Sequence, residues 1–508
     1  MLSTADRRSA LVALAGAALA LWANAGHGPG LSPESAGYVS AARSLAGLRG
    51  LLWYDGGPLL AQPPLYPAVL ACAGLLTASD PLRAAGPVSV LLYLAAVAVA
   101  GAIASRRLHL APGPAMFAAA AAAAAYPLFY VSAMTWPDLL LAALVGAALF
   151  AGDAYAARRT RGALAALAAF AAAASLARYS GAAVIAWAAI VVLAYGPGRV
   201  LARIGRAALF AAAASVPLAA WLAARPGVSA ALLQSRPGAS AVDVARNLEA
   251  AATGVVAWYA PVGRVGIAGP LAVMLLVAAA VFVVIRGSGR PGGHDAPPAG
   301  TVAGARIWVT AALALIFALA VVATTEAGAR AQISDRALAP IAIPVAVLGA
   351  CLLDLLLRAR PAGRIVVLRK SVVAALVAGM LAWPVVRTVR AASWFSETGV
   401  GIAERGWQDS ATAGYLLAHL DDLRAAPVYS NAPDAVYLLT GLRARWSPEK
   451  GPGPALQAGL WPPEGRAVLV WFSRRQTESL WPLEELSRVS RLQDLAILND
   501  GRVLLARR

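Results

Sequence analysis

Two carboxylates and two guanidinium groups, far apart along the chain, are the side chains best suited to chemistry. Glu34 lies in Leu31-Ser-Pro-Glu-Ser-Ala-Gly-Tyr38, and Asp138 closes Met134-Thr-Trp-Pro-Asp138. A fixed carboxylate can take the proton from an attacking hydroxyl. Arg178 stands in Leu176-Ala-Arg-Tyr-Ser-Gly181 and Arg336 in Asp335-Arg-Ala-Leu-Ala-Pro340. A guanidinium grips phosphate oxygens in a two-pronged fork. Each has a structural alternative. The acids can serve as first-turn carboxylates favoured by the helix macrodipole, and the arginines can snorkel to lipid headgroups.

These residues must be positioned by a membrane-embedded frame. Of 508 residues, 60% are hydrophobic and 13% charged, and the mean hydropathy is +0.67. A span needs about 20 apolar residues, and the sequence supplies such runs repeatedly. Apolar length predicts about eleven transmembrane helices, over 9–26, 84–104, 114–131, 137–151, 162–177, 181–196, 205–223, 266–285, 304–323, 337–357 and 371–389. The first is read as a retained anchor rather than a cleaved signal peptide. Alanine runs such as Ala118 to Ala125 let membrane helices approach closely.

The net charge of +18 is mostly arginine in short connections, so no nucleic-acid partner is expected. With Arg7 and Arg8 cytoplasmic, each short inside connection is basic, including Arg106-Arg107, Arg158 to Arg161 and Arg199 to Arg206. This is the positive-inside pattern. An odd span count then places the C-terminus, the segments 27–83, 224–265 and 324–336, and all four candidate residues on the extracytoplasmic side. The expected division is a transmembrane domain over 1–390, with its first outer loop at 27–83, and a small α/β domain over 391–508. In the latter, Ser410–Leu423 reads as helix, and Pro427–Ser430, Ala467–Phe472 and Val503–Leu505 read as strands.

The first outer loop carries more candidates. Ser32 can cap a helix that Pro33 opens. Tyr38, Ala41, Leu45 and Leu48 form one apolar stripe, which predicts an amphipathic helix on the outer leaflet, with Arg43 off the stripe. Asp55 in Tyr54-Asp-Gly-Gly57 reads as a turn residue. Pro64 and Tyr66 belong to Gln62-Pro-Pro-Leu-Tyr-Pro67, the start of an apolar stretch too short to cross. Cys72 and Cys351 make no disulfide framework, and His27, His109, His294 and His419 lack metal-ligand spacing. No Walker loop, dinucleotide fingerprint or nucleophile elbow is present.

In this order the pieces resemble the GT-C superfamily of polytopic glycosyltransferases, in particular the bacterial branch related to protein mannosyltransferases and lipid A aminoarabinose transferases. The resemblance rests on Glu34, Tyr38, Ala42-Arg43, Asp55-Gly56, Pro63 to Pro67, Asp138, Arg178-Tyr179 with Gly181, and Arg336 with Pro340 and Pro344. Tyr429-Ser-Asn-Ala-Pro-Asp434 matches a Ser-Asn-x-Pro-Asp segment of uncharacterised members. The resemblance implies inverting transfer of a sugar from a polyprenyl-phosphate donor to a lipid, glycan or protein acceptor of the bacterial envelope. Glu34 and Asp138 would be catalytic and Arg178 and Arg336 would hold the donor phosphate. Tyr38, Arg43, Asp55, Pro64, Tyr66 and Tyr179 would line the substrate pocket. The first-loop acid of the family is usually Asp, and Glu34 reaches one methylene further. The Asp-x-Asp form of some relatives is absent; no cofactor is identified, and a divalent metal stays open. The competing classes are a transporter or lipid flippase, and an inactive assembly scaffold.

Overall fold

The computed structural model describes residues 3–59, 62–225, 241–259, 299–324, 334–358, 365–450, 461–475 and 478–508. Two compact units emerge. One comprises Met1–Ala23, Leu60–Tyr66 and Pro87–Trp394; the other comprises Asn24–Leu59, Pro67–Gly86 and Phe395–Arg508. Most of the first outer loop, expected within 1–390, thus shares a compact unit with the tail.

The first ten helices are α1 Thr4–Ala23, α2 Pro33–Ala46, α3 Leu65–Leu76, α4 Pro81–Ala102, α5 Pro112–Ala124, α6 Tyr126–Ser132, α7 Asp138–Arg158, α8 Arg161–Ala177, α9 Ala182–Tyr195 and α10 Val200–Ala223. Helices Ala299–Thr324, Ala342–Arg358 and Ile365–Thr398 follow. The expected span 266–285 lies outside the described residues. Among those described, four helical segments are long and apolar enough to cross a membrane: Pro81–Arg107, Asp138–Arg158, Val200–Ala223 and Asp335–Arg358. A fifth arises if α5 and α6, bent by 56°, form one span. The expected spans 162–177 and 181–196 form apolar helices of 17 and 14 residues. Helix Ala241–Tyr259 occupies a segment expected to be a loop.

The large unit is a helical bundle. In its interior Trp187 is fully buried and its indole N–H donates to the Val309 carbonyl at 2.9 Å. A buried indole needs such a partner. Gly152 makes room for that ring: a side-chain carbon there would lie 2.6 Å from it.

The smaller unit is built on a five-stranded sheet ordered β2-β1-β3-β5-β4, with β1 Val428–Ser430, β2 Arg445–Trp446, β3 Arg466–Phe472, β4 Arg491–Leu498 and β5 Gly501–Arg507. β1 runs parallel to β2 and β3, while β3, β5 and β4 are antiparallel neighbours. The three strands expected from sequence are present; β2 and β4 are additions. The Ser-Asn-x-Pro-Asp segment turns the chain from β1 into helix Pro433–Thr440. Asn431 stitches the end of β1 to β3: its amide donates to the carbonyls of Phe472 (2.8 Å) and Arg475 (2.7 Å), and its oxygen accepts from the Phe472 N–H at 2.9 Å. Pro433 suits the first helical position, and Asp434 pairs with Arg475 at 2.8 Å.

α2 departs from the surface helix expected of it. Ser32 and Ser35 form its reciprocal cap, but Ala36 and Val39 sit in the same apolar core as Val428, Val436 and Val470. Leu48, expected on the apolar stripe, is 94% exposed. Small residues at Ser35, Gly37, Ser40 and Ser44 let the helix bury more than one face. A side-chain carbon at Gly37 would collide with the Trp53 ring. Overpacking of this kind costs about 1–3 kcal/mol, so Gly37→Ala lowers the denaturation midpoint of the purified protein. An unchanged midpoint contradicts the packing described.

Candidate active site

Within the helical bundle, three helix ends meet at one carboxylate. Asp138 is the first residue of α7, and its side chain is 1% exposed. Arg178 caps the C-terminus of α8. Because α7 and α8 are consecutive and antiparallel, their facing termini bring residues 138 and 178 together. Arg336 follows Asp335 in a single helical turn capped by Ser334, just ahead of helix Ala342–Arg358. Arg178 Nη1 donates to Asp138 Oδ1, and Arg336 Nε donates to Asp138 Oδ2 at 2.9 Å.

The turn that presents Arg178 depends on a glycine. Residues Tyr179–Gly181 form a short 3₁₀ turn leading into α9. A side-chain carbon at Gly181 would overlap the Ala174 carbonyl of α8, so the Arg-Tyr-x-Gly order has a steric reason. The Tyr179 hydroxyl accepts from Trp221 Nε1 at 3.3 Å.

Sequence reasoning missed the shell around this cluster. The Arg336 guanidinium lies 3.9 Å from the Trp136 ring centroid. Trp136 meets Tyr130 edge to face at 5.5 Å, and Tyr130 stacks on Tyr126 at 5.9 Å. Arg387 caps the row, 3.6 Å from the Tyr126 centroid, and its Nη2 donates to Asp335 Oδ2 at 3.4 Å. Asp335 also accepts from Trp258 Nε1 at 2.9 Å. Cations over aromatic faces gain up to about 2 kcal/mol when desolvated. The signal was present: Arg387 is a charge inside an expected span, which marks an inward-facing group.

The remaining candidates divide between the units. In the bundle unit, Tyr66 is fully buried at the start of α3 and Pro64 is half-buried just before it. In the smaller unit, Glu34 is exposed in the first turn of α2 and Tyr38 is buried in the same helix. Asp55 Oδ1 accepts from the Gly57 N–H at 2.8 Å, the turn its sequence suggests. The Arg43 guanidinium is held by Asp80 through bonds of 2.8 and 3.1 Å and lies 5.3 Å from the Tyr437 ring centroid.

Both Asp138 oxygens are occupied by guanidinium groups, and among the described residues no cluster of three or more His, Cys, Asp or Glu could hold a metal ion. This donor set does not fit a divalent cation.

Two predictions follow from the ion pairs. Removing the charge of a buried acid leaves its cationic partners uncompensated, at a cost of 3–5 kcal/mol for a fully buried pair; Arg178 is 32% exposed, which brings the figure to about 3 kcal/mol. Asp138→Asn therefore lowers the unfolding midpoint, and adding Arg178→Gln restores part of the loss by removing a like charge. A double variant no more stable than the single one contradicts this. In the smaller unit, burial raises the Asp80 pKa, but the hydrogen bonds and charge of Arg43 outweigh it and hold Asp80 below the usual carboxylate range. Its stabilisation is complete above the unfolded value of about 3.9 and is lost as pH falls through the lower folded value. Asp80→Asn flattens the acid limb of the stability profile below about pH 4; an unchanged limb contradicts it.

No family model matches the sequence, and no curated protein matches it. Solved structures do. ArnT from Cupriavidus metallidurans bound to undecaprenyl phosphate superposes with a TM-score of 0.60 at 13% identity, covering 98% of this chain and 97% of that one. The archaeal oligosaccharyltransferase AglB from Archaeoglobus fulgidus, in complex with an inhibitory peptide and a dolichol-phosphate, gives 0.52 at 12% identity, covering 91% and 69%. Arabinofuranosyltransferase AftD from Mycobacteria gives 0.54 at 16% identity, covering all of this chain and 40% of the larger protein. The likeness to ArnT runs through nearly the whole of both chains, and this chain shares the fold of these solved structures.

Proposed function

We propose that this chain is a membrane glycosyltransferase that moves a sugar from a polyprenyl-phosphate donor to an extracytoplasmic acceptor of the bacterial envelope. The observation that carries the reading is the convergence of Arg178 and Arg336 on buried Asp138 in a chain of this fold. ArnT was solved with undecaprenyl phosphate and AglB with a dolichol-phosphate, which supports a lipid-phosphate donor. The basic connections between apolar helices support a cytoplasmic N-terminus and an extracytoplasmic tail in the plasma membrane.

In this reading Glu34 is the general base. The acceptor hydroxyl attacks the anomeric carbon from the face opposite the phosphate, and its proton passes to the Glu34 carboxylate. The new glycosidic C–O bond forms as the anomeric carbon–oxygen bond to phosphate breaks, which inverts the centre. The prenyl phosphate leaves with added negative charge. Each guanidinium has five N–H donors, so Arg178 and Arg336 can hold Asp138 and still present N–H groups to the leaving phosphate. Two cations and one anion leave a net positive charge, which stabilises charge that develops there. Asp138 thereby holds the arginines in place rather than moving the proton. By the family resemblance, Tyr38, Arg43, Asp55, Pro64, Tyr66 and Tyr179 are proposed as substrate-binding residues, with Arg43 held by its fork with Asp80.

A second reading, transport of a lipid-linked substrate, draws on the 56° break between α5 and α6, since discontinuous helices mark transporter sites. One assay separates the two. The purified chain in liposomes is given synthetic polyprenyl-phosphate sugars and an envelope extract, and glycosidic products are followed by mass spectrometry. General-base catalysis contributes about 10²–10⁴-fold, so Glu34→Gln loses at least about a hundredfold in transfer rate while keeping its fold. Wild-type transfer by that variant removes Glu34 as the base. Donor movement across the bilayer with no glycosidic product replaces the proposal with the transport reading.

A further inference from the structure

The smaller unit contains a cavity of about 570 Å³ lined by Arg424, Arg443, Arg445 and Asp55 together with the main chain around Pro427 and Gly441. Its size falls within the range of small-molecule sites, about 300–1,000 Å³. It lies at the N-terminal edge of parallel strands β1 and β2, since Val428 opens β1 and Arg445 opens β2. The three guanidinium groups differ in how they are used. Arg424 pairs with Asp421 at 3.4 Å and Arg445 with Glu464 at 2.8 Å, and neither acid lines the cavity. Among the described residues Arg443 forms no ion pair. Gly56, in a left-handed conformation at φ 96°, admits it: a side-chain carbon there would stand 3.2 Å from Arg443 Nη1.

The walls are mixed in a way that specifies a ligand. Three arginines supply donors and positive charge for an acidic group. Asp55 and the carbonyl end of helix Pro433–Thr440, capped by Gly441, supply acceptors. A bare inorganic anion would meet the arginines but be repelled by Asp55 and by the negative end of that helix. A neutral sugar would satisfy the acceptors and use none of the positive charge that the three arginines supply. A saccharide with an acidic group at one end and hydroxyls at the other satisfies both sets.

We propose that this cavity binds an acidic saccharide, a sugar carrying a carboxylate or a phosphate, with Arg443 and Arg424 on the acidic group and Asp55 on a hydroxyl. Its role as an acceptor-holding subsite rests on the glycosyl-transfer reading; the binding itself does not.

The test is calorimetric titration of the full chain in detergent micelles, with no donor present, using glucuronate, glucose 6-phosphate, glucose and inorganic phosphate as probes. Glucuronate or glucose 6-phosphate binds, and the two arms tell a carboxylate ligand from a phosphate ligand. Glucose and inorganic phosphate each bind at least about tenfold more weakly, as expected from losing a charge-assisted hydrogen bond. Arg443→Gln weakens the acidic sugar by about tenfold or more at an unchanged melting temperature, and Arg443→Lys recovers part of it. Asp55→Asn weakens the acidic sugar relative to inorganic phosphate. With no donor present no transfer takes place, so a failed base assignment does not register here. Absence of binding by both acidic sugars, equal affinity for glucose, or an Arg443→Gln variant that binds as wild type overturns the proposal.

Discussion

The Asp138 carboxylate, held by two guanidinium groups, is the constraint around which one end of the bundle is arranged. Removing a carboxylate from water costs several kcal/mol even after the protein relaxes, so Asp138 at 1% exposure is tolerable only with its partners in place. Those partners come from the end of α8 and from the turn before helix Ala342–Arg358. The ion pairs therefore fix the mutual position of three chain segments that are distant in sequence. The aromatic row from Trp136 to Tyr126, closed by Arg387, extends that order to the bent pair α5 and α6.

Much of this was legible residue by residue. Acids and arginines at the ends of apolar runs stand out because a charge there needs a partner or water. What the sequence could not supply was the pairing. The sequence marks Asp138 as a catalytic candidate grouped with Arg178 and Arg336, but which atoms pair is not legible in it; its two oxygens bond Arg178 and Arg336. Asp335 was passed over beside its neighbour Arg336, yet it anchors Arg387 and Trp258. Pairing across 52 residues, as between Asp335 and Arg387, follows from how helices stack and carries no local pattern.

The first outer loop shows the same limit from the other direction. The stripe through Tyr38, Ala41, Leu45 and Leu48 suggested a helix half in lipid, because a single apolar face is the usual mark of an interfacial helix. The opposite face of α2 is made of serine and glycine, which hydropathy scores as polar but which packing accepts as small. With Gly37 under Trp53 and Arg43 drawn to Asp80, that helix is an internal member of the sheet-containing unit. Membership of a core depended on side-chain size as much as on polarity. The Ser-Asn-x-Pro-Asp segment is the counterpart. Its order is polar and looks functional, yet Asn431 and Asp434 spend their hydrogen bonds on Phe472 and Arg475 and thereby secure the turn from β1 into the following helix.

The choice of arginine at the bundle's cluster bears on how a lipid phosphate could be handled. A divalent cation needs several free oxygen ligands, and a cation at Asp138 would have to displace one of the guanidinium groups that make the carboxylate's burial tolerable. Arginine avoids that competition, because a guanidinium binds the acid through one or two of its N–H groups and keeps the others for a second anion. Lysine would not serve equally, since its charge is a compact point without the fork. A carboxylate that seats two arginines, with each left able to reach outward, concentrates positive charge at helix ends while paying only one buried acid for it. In the proposed transfer, that arrangement would suit a phosphate that gains charge better than one that keeps it constant, since the donors are already oriented when the charge appears.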